Sequence, residues 1–355
     1  MYRIKSRIIG NLNEKGYNKG EGRDTLIKLG ILDQIPLSKG HLVEDRLKET
    51  LEMVQLAEQL GYSRYWFAEH HGTKGMLSSA PEILMAAAAA STKYIRIGTG
   101  GILLPQYSPY KVAEVSKQLA ALFPGRIDIG IGRSPGGNRA IQTALSDGEP
   151  KGMEDFDRKL RDLVYFIRDQ LPNTHAYSGV KAVPQVESPP PIWLLGLGEN
   201  SAELAADHDI GFVFGHFIKP QRGAKAFEVF HQAASPNTNN QDMAAIFIIC
   251  ADTDEEAWEL AKTQDLWLLK VEKGIDSRVP SPEEVVNYPY TALDKERMIH
   301  NHSRMIIGSK ETVRRKLMIL AEQYGINEFL ILCNLHYAND RKKSYQLVAE
   351  AVGQS

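Results

Sequence analysis

From residue 26 onward, short apolar runs alternate with longer stretches whose apolar residues recur at helical spacing. The first run, Leu26–Asp33, carries Ile27, Leu29 and Ile31 at every second position and predicts a strand, which Pro36 stops. Glu44–Leu60 follows, with Leu47, Leu51, Val54, Leu56 and Leu60 at helical spacing, and predicts a helix closed by Gly61. Arg64–Glu69 reads as a short aromatic-rich strand. Pro81 opens a helix through Ala90, at the first turn, where a missing N–H costs nothing. The alternation continues through strands at Tyr94–Gly101, Arg126–Gly132, Pro191–Gly196, Ile210–Gly215, Met243–Asp252 and Glu328–Asn334. The helices among them are Pro109–Leu122, Asp155–Leu171, Ser201–His208, Pro220–Ala234, Asp254–Leu269, Glu311–Tyr324 and Asp340–Val352. Eight strands, each followed by at least one helix, predict a parallel sheet with both faces covered. That number favours closure into a (β/α)8 TIM barrel with insertions over a doubly wound open sheet.

Two stretches exceed the minimal repeat. Pro172–Pro190, rich in proline and valine, is expected to form a small hairpin over the barrel. Glu272–Ser309 is longer and polar, with an inner stretch compatible with a helix, and is expected to be a lid. Residues 1–25 are basic, rich in Gly and Asn, and lack the apolar stretch of a secretory signal. They read as a partly disordered extension, or an upstream start that adds little to the fold. Residues 26–355 then form one domain, since such barrels run to ~250 residues or more as a unit.

Composition narrows the class. A hydrophobic content of 43% suffices for a large core, and the net charge of −2 offers no basic face to nucleic acid. No apolar run reaches the ~20 residues of a membrane span, so a cytoplasmic protein is expected. Cys250 and Cys333 each lie inside an apolar run and read as buried thiols. No CxxC or Cys/His cluster suggests a metal.

Barrel enzymes carry their chemistry where strands end. The first five predicted ends are Asp33-Gln34, Glu69-His70-His71, Gly98–Gly101, Gly130–Gly136 and Gly196–Ser201, all richer in Gly and polar groups than the strands behind them. Neighbouring strand residues face opposite sides, so Glu69-His70-His71 suits a single general acid or base better than a metal site. A solvated turn is the competing reading. At the fifth end, Gly196 and Gly198 permit close backbone approach, and Asn200 and Ser201 are placed to cap the next helix. Its free N–H groups and dipole favour a phosphate, against an ordinary loop with a Ser cap. Arg133, at the neighbouring end, is placed to neutralise the same phosphate. Neither loop is the dinucleotide G-x-G-x-x-G motif: Pro135 stands where a helix should begin, and Ser201 holds the sixth place.

Taken in order, several segments together resemble the bacterial luciferase-like family of flavin-dependent monooxygenases. They are LGILD (Leu29–Asp33), YWFAEHH (Tyr65–His71), SSAPE (Ser78–Glu82), RIGTGGILLP (Arg96–Pro105), Ser108-Pro109, FPGRIDIGIGRSPG (Phe123–Gly136), Pro191–Ala206, and Ile307-Gly308 before Glu311-Thr312-Val313. The resemblance spans residues ~26–350 and is to single-chain luciferase-like oxidoreductases rather than to light-emitting subunits. It implies a barrel that binds FMN with its phosphate at the fourth and fifth strand ends. By that resemblance Arg133 matches the phosphate-binding arginine, Gly198 and Ser201 the fifth-strand phosphate contacts, and His70 the active-site histidine. Gly100 and Gly101 match a pair forming a non-prolyl cis peptide beneath the flavin. Light-emitting relatives have a cysteine before the matched arginine. Here it is Gly132, so aldehyde-dependent luminescence is not expected. The resemblance further implies reduced FMN delivered by a separate NAD(P)H flavin reductase, O2, a small organic substrate, and a homodimer. Two alternatives share the fold: a deazaflavin-dependent hydride-transfer enzyme, and a non-catalytic flavin-binding paralogue. The intact EHH and full barrel speak against the latter. A metal-dependent barrel hydrolase would need further His and Asp ligands at the strand ends.

Overall fold

The computed structural model describes residues 26–149, 153–236 and 241–354, so the expectation for residues 1–25 lies outside the described residues. Eight strands form the barrel: β1 Lys28–Asp33, β2 Arg64–Phe67, β3 Arg96–Thr99, β4 Ile127–Gly132, β5 Ile192–Gly196, β6 Gly211–Gly215, β7 Asp242–Cys250 and β8 Glu328–Leu332. Each pairs in parallel with the next. β8 pairs with both β7 and β1, in register Phe329 with Ala244 and with Leu29, which closes the cylinder. Closure buries both faces of the strands, and this is why they read as near-continuous apolar runs. All nine residues of β7 are buried.

Two further strands have no counterpart in the sequence reading. Ile102-Leu103 pairs beside the end of β4. Met305–Gly308 pairs with Phe247–Cys250, which begins at the last β7 residue paired with β8 and projects beyond it. The helices pack around the cylinder with apolar faces inward. Phe156–Arg168, for example, buries Phe156, Leu160, Leu163, Val164, Phe166 and Ile167. Pro81 and Pro109 sit in the first turns of their helices, as expected.

The two barrel ends differ. Where strands begin, Asp128 accepts hydrogen bonds from Arg64 Nη1 (2.7 Å), Arg96 Nη2 (2.6 Å) and Trp66 Nε1 (3.1 Å). Glu328 takes Arg64 Nε at 2.7 Å, and the Arg64 guanidinium lies 5.0 Å from the Trp193 ring centroid. This end is plugged by paired charge. The other end carries the glycines and the loops.

The insertions depart from expectation. Pro172–Pro190 forms no hairpin, and it packs on the outer helices instead of roofing the barrel. The buried Lys117 Nζ donates to Asp169 Oδ1 (2.8 Å) and to the Ala182 carbonyl (3.2 Å), and Tyr177 stacks on Phe166 with centroids 6.5 Å apart. Pro184, Pro189 and Pro190 lack the N–H donors a hairpin ladder needs. Glu272–Ser309 holds two helices, Pro282–Asn287 and Ala292–Asn301, the second started by a capping box between Thr291 and Asp294. It crosses the mouth-side loops after β1 and β2. Val279 exchanges backbone bonds with Leu37 and Lys39, and Asp276 accepts from Thr73 Oγ1 (2.7 Å) and the Lys74 N–H (3.0 Å). Cys250 and Cys333 are buried free thiols.

Candidate active site

A cavity of about 600 Å³ opens at the ends of β4 to β7, lined among others by Arg133, Gly196, Ser201, Phe217 and Lys219. Two residues assigned to an anion from the sequence, Arg133 and Ser201, therefore share one cavity. Arg133 follows β4, with its Cζ 5.6 Å from the Phe156 ring centroid. Its Nε is buried and has no hydrogen-bond partner among the described residues. A buried guanidinium donor without an acceptor is costly, so the geometry leaves room for an anion.

The helix beyond β5 spans Glu199–Asp207, two residues ahead of its expected start. Gly198 is its N-cap residue, and its carbonyl accepts the N–H groups of Ser201 (3.1 Å) and Ala202 (3.3 Å). Asn200 and Ser201 are therefore first-turn residues and not caps, because the turn closes on a backbone acceptor and uses no side chain. The Glu199 carboxyl is held below its usual range by its own backbone N–H and, further, by Arg222, whose Nη2 lies 2.8 Å away. Ser201 is buried against Gly196, where an added Cβ would fall 2.2 Å from the Ser201 Cβ. Gly198 is not among the cavity-lining residues. It lies against Arg222, 3.0 Å from the guanidinium to a Cβ placed there.

The Gly100–Gly101 peptide bond is cis. A Cβ on Gly101 would lie 2.8 Å from the backbone of Gly130, and one on Gly130 would lie 2.1 Å from the Thr99 carbonyl oxygen. The ends of β3 and β4 thus meet through glycine. Gln106 Nε2, just beyond, donates to the Pro135 carbonyl (2.6 Å) and ties this loop to the one carrying Arg133.

β2 ends at Phe67, so Glu69, His70 and His71 lie in the following loop. His71 Nε2 is 2.7 Å from Glu69 Oε1, and Glu69 Oε2 accepts the Leu103 N–H at 2.9 Å. Tyr107 OH donates to Glu69 Oε1. Burial, and then this bond to Glu69, hold the Tyr107 hydroxyl well above the ordinary phenol range. His70 points elsewhere. Its Nε2 is buried without a partner among the described residues, and burial, followed by the neighbouring His71, pushes its pKa down to about 4. A neutral imidazole there can accept or donate one hydrogen bond.

The first strand end contributes packing rather than a free carboxylate. Asp33 is spent on Tyr65 OH (2.6 Å), the Ile35 N–H (2.7 Å) and Arg46 (3.3 Å). Gln34 Oε1 accepts from Asn334 Nδ2 at 2.8 Å. Sequence reasoning missed Gln106, Tyr107, Phe156, Lys219 and Arg222. Only the basic pair, following a strand end, left any trace. Among the described residues no three His, Cys, Asp or Glu side chains gather as a metal would require.

The chain is a closed (β/α)8 barrel with a cavity at its mouth, and comparison with known proteins places it in a family. A family model described as luciferase-like monooxygenase matches residues 27–328. A Bacillus subtilis (strain 168) protein, uncharacterised YceB, is 53% identical over 92% of this chain and 99% of its own length. The N-acetyl-S-alkylcysteine monooxygenase of the same strain is 37% identical over 92% of this chain and 98% of its own. The crystal structure of apo-MsnO8 superposes with a TM-score of 0.84 at 34% identity, covering 93% of this chain and 99% of that one. The chain belongs to the luciferase-like monooxygenase family.

Proposed function

We propose that this chain is an FMN-dependent monooxygenase that uses reduced FMN and O2 to oxygenate a small organic substrate. The observation that carries the reading is the buried, unpartnered Arg133 Nε in a cavity that also holds Ser201 of a helix's first turn. An arginine side chain and the first-turn residue Ser201 facing one space, at the positive end of a helix, are a donor set suited to a phosphate. Arg133 and Ser201 would hold the phosphate, with Gly198 shaping the turn. Gly100 and Gly101 would lie beneath the flavin ring. Bound reduced FMN supplies the electrons that let one oxygen atom of O2 enter the substrate. The protein contributes a dry wall, including Phe217 packed edge-on against Phe247 at 5.4 Å, and His70 as a neutral imidazole with a free Nε2 for a hydrogen bond. Reduced FMN would come from a separate NAD(P)H reductase. The relative named a monooxygenase supports the oxygen-transfer reading over hydride transfer to a deazaflavin.

The test is a titration of FMN and reduced FMN into wild type and Arg133→Ala. Loss of a charge-assisted phosphate contact weakens binding roughly 10- to 100-fold. Equal affinity for both proteins would remove Arg133 from the phosphate site. Oxygen uptake with reduced FMN separates an oxygenase from a deazaflavin enzyme.

A further inference from the structure

Glu69 stands between two parts of the mouth. The carboxylate is nearly devoid of exposure, at 1%, and takes three donors. The Leu103 N–H occupies Oε2, while Tyr107 OH and His71 Nε2 converge on Oε1. A backbone N–H can only donate. The Tyr107 hydroxyl keeps its proton, because burial and Glu69 both oppose its loss. The carboxylate therefore acts as acceptor throughout, and the proton in the His71 contact lies on Nε2. In the loop after β2, Glu69 Oε1 and His71 Nε2 meet at 2.7 Å, while His70 Nε2 is buried away from that contact.

We propose that Glu69 is a positioning residue of this mouth, fixing His71 as the Nε2–H tautomer and so making Nδ1 the only proton-accepting atom of the neutral ring. The Leu103 N–H on Oε2 holds the carboxylate in place, and Tyr107 OH is a further donor on Oε1. The two adjacent histidines then have different jobs. His70 keeps an unpaired Nε2, whereas His71 has its tautomer dictated from behind, as a carboxylate dictates that of a triad histidine. That this mouth is an active site rests on the flavin reading above, but the tautomer does not.

The test is nitrogen-15 NMR of the histidine side chains in the full-length protein at about pH 8.5, where an ordinary imidazole is neutral. A His71→Asn spectrum assigns the signal. Wild type is expected to show His71 protonated at Nε2. In Glu69→Gln the amide oxygen must still accept the fixed Leu103 N–H, which turns the amide NH2 toward His71. The ring proton is then expected to move to Nδ1. Tyr107→Phe removes one donor and leaves His71 at Nε2–H. Nδ1–H or an even mixture in wild type would overturn the proposal, as would an unchanged tautomer in Glu69→Gln. A bracket that merely joins two loops would leave the tautomer indifferent to the acid-to-amide change. Should Glu69→Gln fail to fold, the wild-type and Tyr107→Phe spectra still decide. Failure of wild type to bind reduced FMN would overturn the flavin reading alone.

Discussion

Asp128 holds three side chains on one fully buried carboxylate, two of them arginines: Arg64, which Glu328 also pairs, and the partly exposed Arg96. Asp128→Ala leaves Arg64 with Glu328 alone and Arg96 with solvent. It should lower the unfolding free energy by about 3 kcal/mol, read from the urea midpoint, because breaking a buried pair from one side is costly and Glu328 offsets part of the loss. FMN affinity should stay within about twofold in the folded fraction, since the chemistry lies at the opposite end. Two histidines give a second expectation at this scale. His70 and His216 are each held down to about 4, chiefly by burial. An unfolded histidine titrates near ~6.5. Between these values the unfolded chain binds protons that the native chain refuses, so stability falls as pH drops from about 6.5 toward 4. Thermal unfolding at pH 7 and pH 5 should show the fall, with a shallower slope in His216→Asn. An unchanged slope in that variant would mean His216 is not held neutral in the native state.

At the level of elements, the glycines at the mouth divide by what a side chain would strike. At Gly130 it would strike the carbonyl of Thr99, which is held in the next strand and cannot yield. Gly130→Ala should therefore destabilise by about 1–3 kcal/mol or more. At Gly198 it would meet only the flexible end of Arg222, and a φ of 165° is extended backbone open to any residue. Gly198→Ala should cost under about 1 kcal/mol, the difference between glycine and alanine before a helix. Chemical denaturation of both variants side by side checks the contrast. The sequence presents both as strand-end glycines. Only the neighbouring strand distinguishes them.

For the whole molecule, the insertion Glu272–Ser309 is tied across the mouth by Asp276, which receives bonds from Thr73 and Lys74 in the loop that carries His70 and His71. The contact is exposed, and exposed polar contacts add little to global stability. Asp276→Ala should shift the unfolding free energy by less than about 1 kcal/mol, yet raise hydrogen exchange in both tied segments, because local opening is governed by local contacts. Exchange unchanged at residues 70–76 would separate the insertion from the active-site loop. No helix among the described residues is long and apolar enough to cross a membrane.

The sequence alone determined the eight barrel strands and their order, and placed their ends to within about two residues, because burial of a strand on both faces writes itself into consecutive apolar residues. It also placed Arg133, Ser201, His70 and the Gly100-Gly101 pair at those ends, and all of them lie on the mouth side. Tertiary structure decided what they meet. Closure of the ring brings Gln34 beside Asn334 across a separation of 300 residues, and nothing local in either stretch encodes the pairing. The helix after β5 begins at Glu199 because a backbone carbonyl closes its first turn, so the serine and asparagine that look like caps are first-turn residues. Pro172–Pro190 lies on the outer helices because the buried Lys117 amine holds it there, a contact with no periodicity to read. Periodicity reports how deeply a residue is buried. Its partners are fixed only when distant segments pack, and in this mouth that packing leaves Arg133 Nε buried without an acceptor among the described residues and places His71 on Glu69.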